Sequence, residues 1–152
     1  MTVAVVTWMR VTKWSRAAVV LADRHYSRQS HGAPQILPPG QTFLLCTPLG
    51  DAVWGVCANI DPRGAERWRC TIFRNESSVL SSDMIREATR RTYAWWRGHY
   101  GALPRVPLTT EVDASKVRRK RDPGRCFLRA GWRFVCVRNG LHVFEAPRER
   151  DE

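Results

Sequence analysis

The sequence predicts a mixed α/β (α+β) domain in which a central, mostly antiparallel sheet is flanked by helices. Two observations support this fold class. Apolar residues recur with strand and helix periods in the order β-α-β-β-β-α-β-α-β-β, and short turns join neighbouring strand patterns, as in antiparallel pairs. The length of 152 residues suits one hydrophobic core. We therefore predict a single domain over residues 1–147 and a frayed tail over 148–152.

The first two elements are a strand and a helix. Residues 3–8 are rich in valine and predict the strand. Thr12 or Ser15 is placed to cap a helix that ends near Ser27, because apolar residues recur there at helical spacing. The stretch 28–41 contains three prolines and two glycines, which predicts an irregular loop.

The next three elements are strands. The apolar runs 42–47 and 52–58 flank a short turn and predict a hairpin. Residues 68–73 alternate in polarity and predict the third strand. Strict alternation would put Trp68, Cys70 and Ile72 on one face of the sheet, and Arg69, Thr71 and Phe73 on the other.

A long helix follows, for which Ser81 or Ser82 is the predicted N-cap and Asp83 a favourable charge in the first turn. The helix should end by Gly98 or Gly101. Its predicted apolar face consists of Leu80, Met84, Ile85, Ala88, Tyr93, Trp95 and Trp96. Adjacent tryptophans cannot face the same way, so Trp95 or Trp96 either packs in the core or stacks on an extruded base.

The C-terminal part predicts a strand, a short helix and a hairpin. Residues 107–113 form the strand, and 125–130 form a helix that Gly131 ends. The runs 132–138 and 141–146 alternate in polarity on either side of Asn-Gly. That dipeptide is the strongest short signal for a tight hairpin turn.

The charge of the chain favours a polyanionic partner. The formal net charge is +11, with 25 lysines and arginines against 14 acidic residues. Residues 116–133 contain eight basic residues and one acid, Asp122. We predict a clamp on the DNA backbone, formed by Lys116, Arg118, Arg119, Lys120, Arg121 and Arg125. A basic loop without a fixed partner is the alternative.

Cysteine spacing and hydropathy bear on the cellular setting. The five cysteines lie in apolar runs and none are spaced as C-x-x-C. We therefore expect buried free thiols, a reducing cytoplasm and no zinc site. Neither a signal peptide nor a transmembrane run is evident, so a cytoplasmic protein without membrane contact is expected.

Two segments resemble a known superfamily. "GRCFLRAGWRFV", with Phe127, Gly131 and Trp132, resembles the late segment of Gcn5-related N-acetyltransferases (GNAT fold). "FRNESSVLSSDMIREA" and "TTEVDASKVRRKRDPGRCFLRAGWRFV" resemble its Mom-type branch, the DNA-modification proteins of Mu-like phages and prophages. The resemblance implies a transferase that adds a small acyl-derived group to an exocyclic base amine in double-stranded DNA. The expected base is adenine, and it would have to be flipped out of the stack to react.

The same resemblance bears on the cofactor. GNAT proteins carry a glycine-containing loop that cradles the pyrophosphate of the cofactor, whereas the matching stretch here, "RNESSVLSS", contains no glycine. Either the mode of phosphate binding is altered, or acetyl-CoA is replaced by another acyl donor. The expected donor-binding groups are the free amides of the helix start and the hydroxyls of Ser77, Ser78, Ser81 and Ser82.

Polar residues at two predicted strand ends are the candidate catalytic groups. Arg74 and Asn75 end the third strand of the central run, where Arg74 would bind phosphate and Asn75 would hold a base edge. Asp113 ends the strand before the basic segment and would accept a proton from the amine. Glu111 is the competing carboxylate. The alternatives are a strand-end turn at Asn75 and a capping role for Asp113.

His25 and Tyr26 close the first helix beside the Gly/Pro-rich loop. The resemblance places this loop next to the acceptor site, where His25 would act as a base. A centre built from His25, His31 and Asp113 lacks metal-ligand spacing, so no metal is expected.

Two other functions remain open. One is an acetyl-CoA-dependent N-acetyltransferase that acts on a small amine or a protein. The other is a non-catalytic nucleic-acid-binding phage protein. The sequence also leaves a homodimer open.

Overall fold

A computed structural model describes residues 6–24, 36–116 and 124–148. Its strands are β1 Met9–Val11, β2 Gln41–Cys46, β3 Ala52–Ile60, β4 Glu66–Asn75, β5 Thr109–Asp113, β6 Arg133–Arg138 and β7 Leu141–Glu145. Its helices are α1 Arg16–Asp23, α2 Ser81–Tyr100 and α3 Arg125–Arg129, with a 3-10 turn over Ala114–Lys116. The order of elements is the predicted one.

The strands form one sheet in the order β1-β2-β3-β4-β5-β7-β6. The pair β4 and β5 is parallel, and the other pairs are antiparallel. The predicted class, a mixed α+β fold with a mostly antiparallel sheet, is therefore confirmed. The parallel pair arises because α2 carries the chain from one end of β4 back to the start of β5.

Helices cover both faces of the sheet. On one face, α2 and α3 bury a large cluster that includes Trp54, Trp68 and Phe127. On the other face, α1 and the residues around Leu37 bury a smaller cluster with Ile72. The smaller cluster belongs to β2, β3 and β4, so α1 does not extend over β5, β7 and β6.

The predicted alternation along β4 is wrong beyond Cys70. Gly55 of β3 pairs with Ile72 and Val56 pairs with Cys70, so Thr71 is an extra residue opposite no partner. Such a bulge reverses the side-chain alternation that follows it. Ile72 therefore packs under α1, whereas Phe73 packs on the α2 side.

The first strand is displaced from its predicted place. Residues 3–5 of the prediction lie outside the described residues, while Val6, Thr7 and Trp8 are not in a strand. Trp8 is buried, and its indole donates to the backbone oxygen of Met84 at 3.0 Å. Because Trp8 is held against α2, pairing with β2 begins only at Met9.

The helix starts differ in how well they were predicted. Ser15 caps α1, as expected, by accepting from the amide of Ala18 at 3.4 Å. The last described residue of α1 is Asp23, short of the predicted end at Ser27, which lies outside the described residues. The predicted serine cap of α2 is wrong, because Leu80 occupies the N-cap, makes no side-chain capping bond and is exposed rather than part of the apolar face.

The C-terminal hairpin is confirmed. Asn139 and Gly140 have φ values of 52° and 76°, as a two-residue turn with both central residues left-handed requires. The tail was predicted from residue 148, and its residues 149–152 lie outside the described residues.

Two further features concern membrane-spanning helices and the cysteines. No helix in the described ranges is long and apolar enough to cross a membrane. All five cysteines are free thiols. The expectation that all are buried is wrong for Cys126 and Cys136, which are only partly buried because each lies near the outer side of the fold.

Two glycines provide a test of the packing. A Cβ at Gly55 would lie 2.6 Å from Leu37 and 2.8 Å from Ile72, so Gly55→Ala should lower the free energy of unfolding by about 1–3 kcal/mol through overpacking. Gly98 lies in α2 with nothing within 4 Å of its Cβ position. Gly98→Ala should therefore raise stability by about 0.5–1 kcal/mol. Denaturant titrations measure both; equal effects would contradict the packing.

Candidate functional site

The parallel strands β4 and β5 part soon after they meet. Only Arg69 with Thr109 and Cys70 with Thr110 are paired. At the point of parting, the hydroxyl of Thr110 donates to the backbone oxygen of Cys70 at 2.9 Å. The carboxyl-terminal residues of both strands are therefore not paired with each other, and α2 begins just beyond β4. Such carboxyl ends of parallel strands are a favourable place for a ligand.

Asn75 organises the turn between β4 and α2. Its amide nitrogen donates to the backbone oxygen of Val79 at 2.7 Å and to the hydroxyl of Ser81 at 3.2 Å. Its oxygen accepts from the backbone amide and the hydroxyl of Ser77. The side chain is thus engaged at both ends and stabilises the turn.

Arg74 joins this turn to the end of α1. It donates to Glu76 at 2.6 Å and to the backbone oxygen of Arg24 at 2.8 Å, while Arg24 itself pairs with Glu76 at 2.6 Å. The hydrogen bond from Arg74 is the main cause that lowers the pKa of Glu76. His25, Tyr26 and His31 lie outside the described residues.

The four serines of the turn have different roles. Ser77 accepts from the amide of Val79 at 3.2 Å and so stabilises the turn. Ser81 is bound by Asn75, as above. The hydroxyls of Ser78 and Ser82 make no hydrogen bond within the described ranges. Because the N-cap of α2 makes no side-chain bond, the first amides of this positive helix end are not capped by a side chain.

The two candidate carboxylates lie two residues apart on the same face of β5. Glu111 is bound by Arg67 and lies 3.7 Å from Arg69, in a cleft of about 220 Å³ that opens on the side without a helix. Asp113 instead accepts from the backbone amide of Ser115 at 3.0 Å and from its hydroxyl at 2.6 Å. Asp113 is thus the carboxylate that is not bound to an arginine in the described part of the chain.

The charged form of Asp113 is favoured. Hydrogen bonds from Ser115 are the largest cause that lowers the pKa of Asp113 below its ordinary value of 3.8, and the positive charge of Lys116 adds to this effect. The basic residues from 118 to 121 lie outside the described residues. Asp113 is therefore ionised near neutral pH and can accept a hydrogen bond from an amine.

Three side-chain polar atoms of β4 are buried near its short pairing with β5. Within the described residues, the indole nitrogen of Trp68, Nε of Arg69 and the hydroxyl of Thr71 are buried without a hydrogen-bond partner. Cys70 lies among them, but burial raises the pKa of its thiol well above the ordinary value, so it is not a nucleophile. Neither Thr71 nor Thr110 was predicted as a site residue. No signal in the sequence marks the bulge.

The structure describes the two ends of the basic segment. Lys116 ends the 3-10 turn after β5, and Arg125 begins α3; both are exposed. The other predicted clamp residues, Arg118, Arg119, Lys120 and Arg121, lie outside the described residues. The segment thus begins three residues after Asp113.

Trp95 is engaged by neighbouring rings. It stacks on Phe43 and on His99 at 4.9 Å and 4.7 Å between ring centroids, and Trp96 is buried beneath it. Two stacked partners favour the packing role over contact with an extruded base.

Within the described residues, no group of three His, Cys, Asp or Glu side chains is placed to hold a metal ion. Comparisons with protein-family models, curated proteins and solved structures found no match to this chain.

Ser115 provides a test of the carboxylate site. Ser115→Ala removes one donor to Asp113, so the pKa of Asp113 should rise towards 3.8 but remain below it, because the backbone amide still donates. Since the folded-state pKa is the lower one, these bonds stabilise the fold above the unfolded-state value, and their effect is lost as pH falls through the folded-state value. A carboxyl NMR titration measures the shift. Ser78→Ala is the control and should leave the pKa of Asp113 unchanged.

Proposed function

We propose that the protein is a GNAT-like transferase that adds a small acyl-derived group to an exocyclic base amine in DNA, with adenine as the expected base. The observation that carries the proposal is the parting of β4 and β5 between the start of α2 and the start of the basic segment. At this edge of the sheet, we expect an anionic donor to bind at the start of α2, Asp113 to act as the ionised carboxylate, and DNA to bind along the basic segment.

The donor side is supported by backbone chemistry. Beyond Cys70 and Thr110 the two strands offer peptide groups that can pair with an extended acyl carrier. The start of α2 combines free amides with the hydroxyls of Ser78 and Ser82, a favourable environment for phosphate. A strand followed by a turn and a helix at this place in the chain is what the resemblance to the Gcn5-related fold implies. Acetyl-CoA or a related acyl donor suits both features.

The turn that lacks glycine is ordered by the side chain of Asn75. A glycine-rich loop brings amides close to a phosphate through its backbone freedom. Here the turn over residues 75–81 is held by the side chain of Asn75, which bonds to four groups of Ser77, Val79 and Ser81. The turn is thus ordered by a different means, with side chains present near the phosphate position, so we expect weaker binding of coenzyme A than in glycine-containing relatives of this fold.

The acceptor side depends on Asp113. As the amine nitrogen bonds to the acyl carbon, the bond from that carbon to the leaving group breaks, and the amine must lose a proton. The ionised Asp113 accepts this proton or orients the amine, and the proton then passes to solvent. Glu111 is less suited because Arg67 and Arg69 already neutralise it.

Asp113→Asn should lower DNA modification by about 10²-fold or more, because it keeps the size and much of the hydrogen bonding but removes the charge. Mass spectrometry of nucleosides from cells that express the protein measures the modification. Asp61→Asn is the matched control, since Asp61 also accepts from turn amides, at 2.9 Å, but at the opposite end of β4. Modification near the wild-type level in Asp113→Asn would assign this carboxylate a structural role.

Charge reversal at Arg118, Arg119 and Arg121 should weaken DNA binding and reduce its salt dependence, because fewer counterions are released. The fold should be retained. Reversal of the exposed Arg16, Arg63 and Arg105 changes the net charge equally and serves as the control. Affinities measured across salt concentrations distinguish the two triple variants. The clamp is excluded if both variants have the same slope.

The same experiments separate the other two functions. Binding of acetyl-CoA without modified nucleosides would favour an N-acetyltransferase on a small amine or protein, which the uncapped start of α2 also suits. DNA binding with neither would favour a non-catalytic nucleic-acid-binding protein.

A further inference from the structure

Exposed apolar side chains gather on α3 and β6, on the sheet face that α2 covers further along. Leu128, Phe134 and Val137 are 43%, 48% and 56% exposed; we call these three residues the α3–β6 ridge. Phe134 and Val137 point to the same face, because their partners on β7 are Phe144 and His142, which are two residues apart. β6 is the outermost strand of the described sheet.

The start of α3 and Phe134 of β6 both contact Phe144 of β7. Gly124 packs directly against Phe144, and Leu128 follows one helical turn later, with its amide donating to the oxygen of Gly124 at 3.0 Å. The ring of Phe134 contacts that of Phe144 at 5.8 Å between centroids. Phe144 therefore lies between the helical and the strand part of the ridge.

Arginines lie on both elements that form the ridge. Arg125 and Arg129 lie on α3, and Arg133 and Arg138 lie at the two ends of β6; all four are exposed. Neither α3 nor β6 contains an acidic residue. Arg125 and Arg129 add positive charge on α3, whereas Arg133, which pairs with Glu145 at 2.9 Å, and Arg138 point to the opposite face of β6 from Phe134 and Val137.

The charge pattern selects the partner. If two copies paired through β6 in antiparallel fashion with all six residues matched, Arg133 of one copy would lie opposite Arg138 of the other, which is unfavourable. A partner with an anionic outside and flat apolar surfaces inside suits the ridge better. DNA has this construction, and residues 118–121, four consecutive basic residues, lead directly into α3.

We propose that the α3–β6 ridge is a DNA-contacting wedge, in which Leu128 and Phe134 enter the base stack while Arg125 and Arg129 contact the flanking phosphates. The inference rests on the proposed function, since an extruded base leaves a gap in the stack that apolar side chains can fill. The ridge follows the clamp segment along the chain, so both would contact one duplex.

The test uses the full chain and duplexes that carry 2-aminopurine, whose fluorescence rises when it loses its stacking partners. Wild-type protein should raise this fluorescence. The double variant Leu128→Ala/Phe134→Ala should abolish most of the rise and weaken binding about tenfold, with an unchanged salt slope, because apolar contacts release no counterions. Leu49→Ala/Ile60→Ala is the control: both side chains are exposed, by 88% and 72%, and they lie in the turn before β3 and at the end of β3, away from the ridge.

The single variant Leu128→Ala keeps the test valid if loss of Phe134 disturbs β6, and circular dichroism melts identify such a disturbance. A fluorescence rise and affinity equal to the wild-type values in folded ridge variants would overturn the wedge. So would a dimer, seen by sedimentation, that the ridge variants dissociate without any change in DNA binding. Modified nucleosides with an unaffected ridge variant would reject the wedge alone. Base unstacking by wild-type protein without modified nucleosides would reject the proposed activity and retain the wedge.

Discussion

Three indole N–H groups from distant parts of the chain are hydrogen-bonded to one helix, α2, and the rest of the structure depends on this arrangement. The bonds join Trp8 to the backbone of Met84, Trp54 to the hydroxyl of Thr92 and Trp132 to the hydroxyl of Thr89, all at 3.0–3.1 Å. A buried indole combines a large apolar surface with a donor that must be satisfied. Each ring therefore packs in the core only in the position that aligns its donor with α2.

The threonines that accept these bonds are themselves fixed. Thr89 and Thr92 donate their hydroxyl protons to the backbone oxygens of Ile85 and Ala88, each at 2.7 Å, so their oxygens are free to accept from the indoles. Three elements are located in this way: the segment before β1, the middle of β3 and the start of β6. Because α2 also begins at the candidate site, the same bonds fix the position of that helix start relative to the sheet.

The parting of β4 and β5 follows from the packing below it. Phe127 of α3 lies between Phe73 of β4 and Phe144 of β7, at 6.1 Å and 6.4 Å between ring centroids. β5 is short, and its pairing with β4 stops at Thr110, just before the Thr71 bulge turns Phe73 to this side. An aromatic side chain from α3 thus occupies the region under the parted strands, and it couples the helix after the basic segment to the candidate site.

The sequence predicted what local periodicity controls. The order of elements, the Ser15 cap and the Asn-Gly hairpin follow from patterns within a few residues. The bulge at Thr71 was not predictable, because Trp68–Phe73 alternates without interruption and the extra residue is defined only by pairing with β3. The hydroxyls of Thr89 and Thr92 were not predicted either, since their partners are 43 and 38 residues away. Arg74, Asn75 and Asp113 were correctly placed at strand ends, yet their bonding partners come from the tertiary structure.

Several carboxylates are bound by arginines, whereas Asp113, next to the basic segment, is bound by a serine. Several carboxylates are paired with nearby arginines: Glu76 with Arg74 and Arg24, Asp83 with Arg86, Glu87 with Arg90, Glu111 with Arg67, and Glu145 with Arg133. These pairs neutralise part of the positive charge, but the described residues still contain 19 basic and 10 acidic residues. Residues 116–125 contain six basic residues and one acid directly after Asp113, which is bound by Ser115 instead of an arginine. An ionised carboxylate next to a run of positive charge would be drawn towards it unless held in place. The two hydrogen bonds from Ser115 hold Asp113 at the end of β5, which is the position that the proposed transfer to an amine requires.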